Sequence, residues 1–478
     1  MSKPEIFDER QGTDLAAKIT DAPARPMSRE EKRDWIDVAL DESESPPCVL
    51  LDSQLDGHPS SRYSLLGRDP LVILSARGER LTLQWGRGRW RGVGDPWRAL
   101  QELRAIRPAW MTGYFGYDLK NRIEALHSRH PDPVGAPDLW FMIPASLEVW
   151  DSRLERLSTV RQTLPTATPP SSLRKSWLLE PMPEGSGRHT GSSVRTGSGY
   201  TDPRTAPLVS SVSEEAYQEA IRKVQEAIKE GEIYELNLSR QLSMPFDSTS
   251  GALFRAMREA GPVPFAAWIR TPEWSVSCAS PERFLCHHDG HLFSQPIKGT
   301  SPRDPDPVTD RALRNHLIES KKERAENVMI TDLVRHDLSR VCQPGSVTVP
   351  RLFDVQSFQT VHQLLTTVEG QVRPGTDPID MIRACFPMGS MTGAPKIRSM
   401  EWIERLERYR RGIYSGAIGY MAPDGEFDFN VVIRTAILRG ESLWYSAGGA
   451  ITSDSDPEAE FEETCVKTRA LTHALQSL

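Results

Sequence analysis

Two pairs of glutamates are spaced for shared work: Glu323 with Glu326, and Glu460 with Glu463. Residues three apart on an α-helix share a face, so each pair can aim both carboxylates at one point. Hard oxygen donors from two helices, facing a substrate carboxylate and water, suit Mg²⁺. The same spacing also serves a solvated helix face, and Glu463 with Lys467 reads as a routine i,i+4 pair worth about 0.2–0.5 kcal/mol. Spacing alone leaves both readings open. Lys298 is likewise either a nucleophilic amine or a surface lysine after a strand. The run from Gly389 to Lys396 has the wrong glycine spacing for a phosphate loop, and Pro395 removes a backbone donor.

The elements that must position these groups can be read from the patterning. Short apolar runs at 48–51, 71–74, 81–83 and 146–150 read as strands, and Asp95-Pro96 opens a helix over 98–106. Apolar residues at helical spacing over 214–230 follow the N-cap Ser213 and stop at Gly231. Strands are expected at 233–243, 415–420 and 431–434, and helices at about 307–338 and 457–478. Four regions result: a tail at 1–30, an N-terminal lobe at 31–164, a Pro/Gly/Ser-rich linker at 165–212, and a catalytic region at 213–478. Mixed element order favours an α+β fold over a doubly wound sheet.

Composition excludes several classes. A chain of 478 residues with 38% hydrophobic and 26% charged content is ordinary globular protein. Its formal net charge of −7 offers no global attraction to nucleic acid or an anionic membrane. There is no apolar run of about eighteen residues and no apolar h-region near Met1, so a cytoplasmic protein is expected. Six scattered cysteines without Cys-x-x-Cys spacing read as reduced thiols.

A set of segments in order carries a sharper reading. Pro296-Ile297-Lys298-Gly299-Thr300-Ser301-Pro302-Arg303 resembles the PIxGTxPR signature of the chorismate-binding family. Glu323-Arg324-Ala325-Glu326-Asn327, Asp332-Leu333-Val334-Arg335-His336-Asp337-Leu338 and Phe386-Pro387-Met388-Gly389-Ser390-Met391-Thr392-Gly393-Ala394-Pro395-Lys396 resemble its next segments. Ile433-Arg434-Thr435, Ala447-Gly448-Gly449-Ala450 and Glu460-Phe461-Glu462-Glu463-Thr464 complete the set. The family includes anthranilate, aminodeoxychorismate, isochorismate and salicylate synthases. The resemblance implies two packed β-sheets with surrounding helices, as in anthranilate synthase component I, and an active site in the central cleft.

The resemblance also implies roles. Glu326 and Glu463 would bind Mg²⁺, with Glu323 and Glu460 beside them. Arg434, Tyr414 and the backbone N–H groups of Gly448, Gly449 and Ala450 would hold the enolpyruvyl carboxylate of chorismate, with Thr300, Ser390 and Lys467 contacting substrate. Glu282 matches the acid that protonates the departing C4 hydroxyl, and His362 the family's active-site histidine. Lys298 distinguishes branches: aminodeoxychorismate synthases carry lysine there and anthranilate synthases generally alanine. A lysine amine adds to C2 as the C4 hydroxyl leaves, and ammonia then enters at C4. Anthranilate synthase and an inactive binding subunit are the alternatives. Glu235 stands where water-using members carry lysine and amine-using ones usually glutamine. Met388, Ala450 and His336 also depart from the family pattern.

No Gly-x-Cys-x-Gly motif is present, so ammonia is expected from a separate glutamine amidotransferase subunit. No lyase region follows 478, so the expected product is aminodeoxychorismate rather than p-aminobenzoate. Ser53, Pro264 and Phe265 fall where relatives form a tryptophan pocket; a core strand and a turn explain them equally well.

Overall fold

The computed structural model describes residues 15–19, 22–41, 47–55, 60–183, 207–358 and 361–478. Its root is a long antiparallel pair, Tyr63–Arg77 with Leu139–Asp151. In the first strand Val72, Leu74 and Ala76 are buried at a period of two, the mark of a strand with one face on a core.

Two arms of sheet grow from this pair. One runs from Tyr63–Arg77 through Cys48–Asp52, Phe265–Arg270, Ser275–Ser280, Thr435–Arg439 and Ser442–Ile451 to Glu235–Pro245. The other runs from Leu139–Asp151 through Met111–Phe115, Ala417–Met421, Phe427–Asn430, Arg283–His288 and His291–Gln295 to Val361–Gln371. That last strand is flanked by Ile297–Pro302 and Thr348–Ser357. The arms pack face to face: Val49, Ala267, Ile269 and Val276 of one meet Tyr114, Trp140, Met142 and Ile418 of the other. This is the expected pair of packed sheets.

Helices cover the outer faces. Leu253 and Met257 of Ser250–Ala260 and Leu471 and Leu475 of Pro457–Gln476 pack on Leu443 and Tyr445. Ile330 and Val334 of Lys321–Ser339 and Ile382 of Pro378–Cys385 pack on Leu285 and Leu292. Among the described residues no helix is long and apolar enough to cross a membrane, and no disulfide forms.

Several sequence expectations change. The helix expected over 307–338 is two helices, Pro307–Glu319 and Lys321–Ser339, broken at Ser320. The Ser320 hydroxyl accepts from the Glu323 N–H at 3.4 Å, the start of a Ser-x-x-Glu cap that the sequence does contain. The strand expected at 431–434 is a crossover between Phe427–Asn430 and Thr435–Arg439, turned at Arg434 with φ 51°.

The linker assignment at 165–212 fails at both ends. Ser171–Ser176 is helical, Leu173 and Trp177 are buried in the main core, and Glu180–Pro181 pairs with Gly88–Val93. Two large apolar side chains suffice to dock an otherwise polar segment. Val209–Ser210 pairs with Glu235–Pro245, while 184–206 lie outside the described residues. The tail assignment at 1–30 is corrected similarly: Leu15, Ile19 and Met27 are buried, and Ala24–Pro26 pairs with Arg156–Arg161. Residues 1–14 lie outside the described residues.

Candidate active site

Lys298 sits at a break in strand register. Ile297 and Thr300 pair with Val361–Gln371 across a shift, and Gly299 between them has φ 89°. That left-handed conformation favours glycine, and a Cβ there would also press on Glu323, lying 2.7 Å from its Oε2. The bulge turns the Lys298 side chain inward, leaving it 8% exposed with Nζ donating to Glu235 Oε1 at 2.6 Å. Burial opposes its charge, but Glu235, Glu326 and Glu282 together hold the ammonium above the ordinary lysine range. The other oxygen of Glu235 is buried without a hydrogen-bond partner. Thr300, just beyond the bulge, is exposed.

Glu282 occupies the turn between Ser275–Ser280 and Arg283–His288. Burial pushes its carboxyl up to about 7, against a hydrogen bond donated by Ser390 Oγ at 2.8 Å. Ser390, expected to touch substrate, is thus engaged with the candidate acid. The guanidinium of Arg434 is within electrostatic reach of Glu282 and Tyr445. Among the described residues it has no hydrogen-bonded or ion-paired partner, which leaves its fork for an anion.

Behind Tyr414 lies a buried knot that sequence reasoning missed. Arg411 donates to Met391 O at 2.6 Å and Asn237 O at 2.8 Å, and pairs with Glu407 at 2.6 Å. Ser239 donates to Glu407 through both N–H and hydroxyl, at 2.8 and 2.6 Å. The knot ties the 386–396 loop to the Glu235–Pro245 strand and the turn leading into Tyr414. Burial raises the Tyr414 hydroxyl to about 12, so it stays a neutral donor. Glu407 and Arg411 stand four apart, the one available sequence signal. Glu407→Ala would strand a buried guanidinium, and urea unfolding should show a loss of about 3–5 kcal/mol.

The four predicted carboxylates come from the first two turns of two helices, Lys321–Ser339 and Pro457–Gln476. A Cβ on Gly449 would lie 3.2 Å from Glu460 Oε2 and 3.7 Å from Glu463 Oε1, so glycine lets the acids approach the strand. Burial first, then neighbouring acids, raises Glu323 and Glu460, and lifts Glu326 to about 7. Burial works against charge at Glu463 too, yet Lys467 at 2.7 Å holds it below the ordinary range. Lys322 lies 4.0 Å from Glu326 and 3.6 Å from Glu460. Among the described residues no group of three or more acidic, histidine or cysteine side chains closes a metal shell. The donor set is all oxygen and drawn from two helices, which fits a hard divalent cation in chemistry.

The backbone receptor is smaller than expected. Ser442–Ile451 pairs along its length with Glu235–Pro245, but its other partner ends at Ala436 opposite Tyr445. From Ser446 onward one edge is therefore open among the described strands. Successive residues face opposite edges, so Gly448, Gly449 and Ala450 cannot all present free N–H groups. Lys467 Nζ also donates to Gly448 O at 2.7 Å.

Among the described residues no hydrogen bond joins His362 to Lys298 or Glu282. Its ring nitrogens meet Ser357 Oγ at 2.8 Å and Asp310 Oδ1 at 3.0 Å, and Arg303 pairs with the same aspartate. Ser53 and Pro264 do meet, hydroxyl to carbonyl at 3.2 Å, with Phe265 next in chain under the Arg283 guanidinium. Beside them Asp52 is buried against Lys32 at 2.9 Å and Arg258 at 2.8 Å.

The chain is 34% identical over 444 residues to aminodeoxychorismate synthase component 1 of Salmonella typhimurium, covering 90% of this chain and 94% of that one. It is 35% identical over 455 residues to anthranilate synthase component 1 of Thermus thermophilus, covering 90% and 93%. The crystal structure of anthranilate synthase component I from Streptococcus pneumoniae superposes with TM-score 0.72 at 25% identity, over 87% of this chain and 93% of that one. The family model for the chorismate binding enzyme matches residues 46–473, and with it the chain belongs to the chorismate binding enzyme family.

Proposed function

We propose that the chain is the chorismate-aminating component of an aminodeoxychorismate synthase, supplied with ammonia by a separate glutamine amidotransferase subunit. Overall identity does not choose between this and anthranilate synthesis, since the two kinds of relative match almost equally. The observation that carries the choice is Lys298: a buried amine paired to Glu235, in the electrostatic company of the acid Glu282.

Each group then has a task. Arg434 receives the enolpyruvyl carboxylate and Tyr414 donates to it. Glu282, protonated in part near neutrality, gives its proton to the C4 hydroxyl as that bond breaks. Lys298 loses a proton to Glu235 and its lone pair bonds to C2. Ammonia then bonds to C4, the ring electrons shift back, and the C2–N bond breaks to return the lysine. Glu282 accepts the proton left on the new amine. Glu326 and Glu463, with Glu323 and Glu460 beside them, would hold Mg²⁺, which when bound neutralises the ring carboxylate.

The test is product identity. The purified chain with chorismate, Mg²⁺ and an ammonium salt should yield aminodeoxychorismate without pyruvate, read by chromatography and mass. Anthranilate with stoichiometric pyruvate would move the assignment to anthranilate synthase.

A further inference from the structure

Lysine is out of place in the first turn of a helix. The N-terminal end carries partial positive charge and favours acids, yet Lys321–Ser339 opens with Lys321 and Lys322. Lys322 reaches Glu326 on its own helix, at 4.0 Å, and Glu460 on the helix Pro457–Gln476, at 3.6 Å. Among the described residues it is the lysine whose ion pairs join both carboxylate-bearing helices. Lys467, by contrast, is committed to Glu463 and to Gly448 O. All four glutamates feel the charge of Lys322 as one that favours their ionised form. Half of its side chain is exposed, so the ammonium can move into water at small cost.

We propose that Lys322 is a resident counter-ion for the four glutamates: it offsets part of their charge when no cation is bound and must withdraw when a divalent cation enters. This rests on the reading that Glu323, Glu326, Glu460 and Glu463 form a cation site. Lys322 then sets the affinity of that site from below, because entry of the cation costs the displacement of the ammonium. It also keeps the two helix ends from separating by charge repulsion before the cation arrives.

Isothermal titration of Mg²⁺ into the full chain, without chorismate or amidotransferase, tests this directly. Lys322→Gln keeps the helix and removes the charge; it should bind Mg²⁺ about 5- to 10-fold more tightly than the parent. Its melting temperature without Mg²⁺ should fall, and its gain on adding Mg²⁺ should exceed the parent's. Lys322→Arg, which keeps the charge, should stay near the parent in both. Equal or weaker Mg²⁺ binding by Lys322→Gln, with the parent binding normally, would overturn the counter-ion alone. Absence of Mg²⁺ binding by the parent would remove the cation site and the counter-ion together.

Discussion

Lys298→Ala should lower ammonia-dependent aminodeoxychorismate formation by about 10³-fold or more, with the fold intact. The expected size follows from the loss of a covalent route, in which one hard displacement at C4 is divided into two easier ones. The variant strands the buried Glu235 carboxylate and should lose stability. That group can take up a proton, and the position lies at a strand bulge outside the main apolar clusters, so the fold should survive. Turnover measured by chromatography, and intact mass after chorismate is added without ammonia, read the two halves of the claim. The parent should gain the mass of dehydrated chorismate, and the variant should not. A variant that keeps its rate would mean that ammonia reaches the ring unaided. The pair with Glu235 makes the starting state explicit. The resting lysine is an ammonium, so the nucleophile appears only after a proton crosses the 2.6 Å contact or leaves for solvent.

Glu282→Gln carries the second large effect. The amide would keep the size and the contact with Ser390 but donate no acidic proton, and removal of a general acid costs typically 10²- to 10⁴-fold. The pH profile adds a check that size alone does not. With the Glu282 carboxyl raised by burial to about 7, the protonated form dominates below that value and disappears above it. Turnover of the parent should therefore decline as pH rises through about 7, and the residual rate of the glutamine variant should lack that limb. A limb that persists unchanged in the variant would assign it to another group, with Glu326 the first candidate because it too is raised to about 7.

Much of this was legible in the chain. Asp95 with Pro96 at the first turn of its helix, and the cap Ser213, mark starts that the structure keeps. The lobe strands could be read as short apolar runs, and those at 71–74 and 81–83 alternate in burial because one face lies on a core. Glu323, Glu326, Glu460 and Glu463 could be paired because helical spacing states which residues share a face. The failures have physical causes too. Arg434 lay in an apolar run that looks like a strand, and nothing local reveals the positive φ that turns it toward the site. Ser390 could be seen as polar and loop-borne, but its partner, Glu282, is 108 positions away. The Arg411 knot joins three segments through backbone carbonyls, and carbonyls carry no sequence signature. Linker composition around 165–183 concealed Leu173 and Trp177, whose docking surface is built by strands far upstream.

The carboxylates are divided between a helix that begins at Lys321 and one that begins at Pro457, and that division has a consequence in time. A ribosome working at about 5–20 residues per second releases the first helix several seconds before the second. On the proposed reading, until then the nascent polypeptide holds only Glu323 and Glu326, half of the cation site. Activation on that reading is vectorial: the catalyst is armed only once the second of these helices has emerged, and a polypeptide ending before Glu460 and Glu463 should be inert.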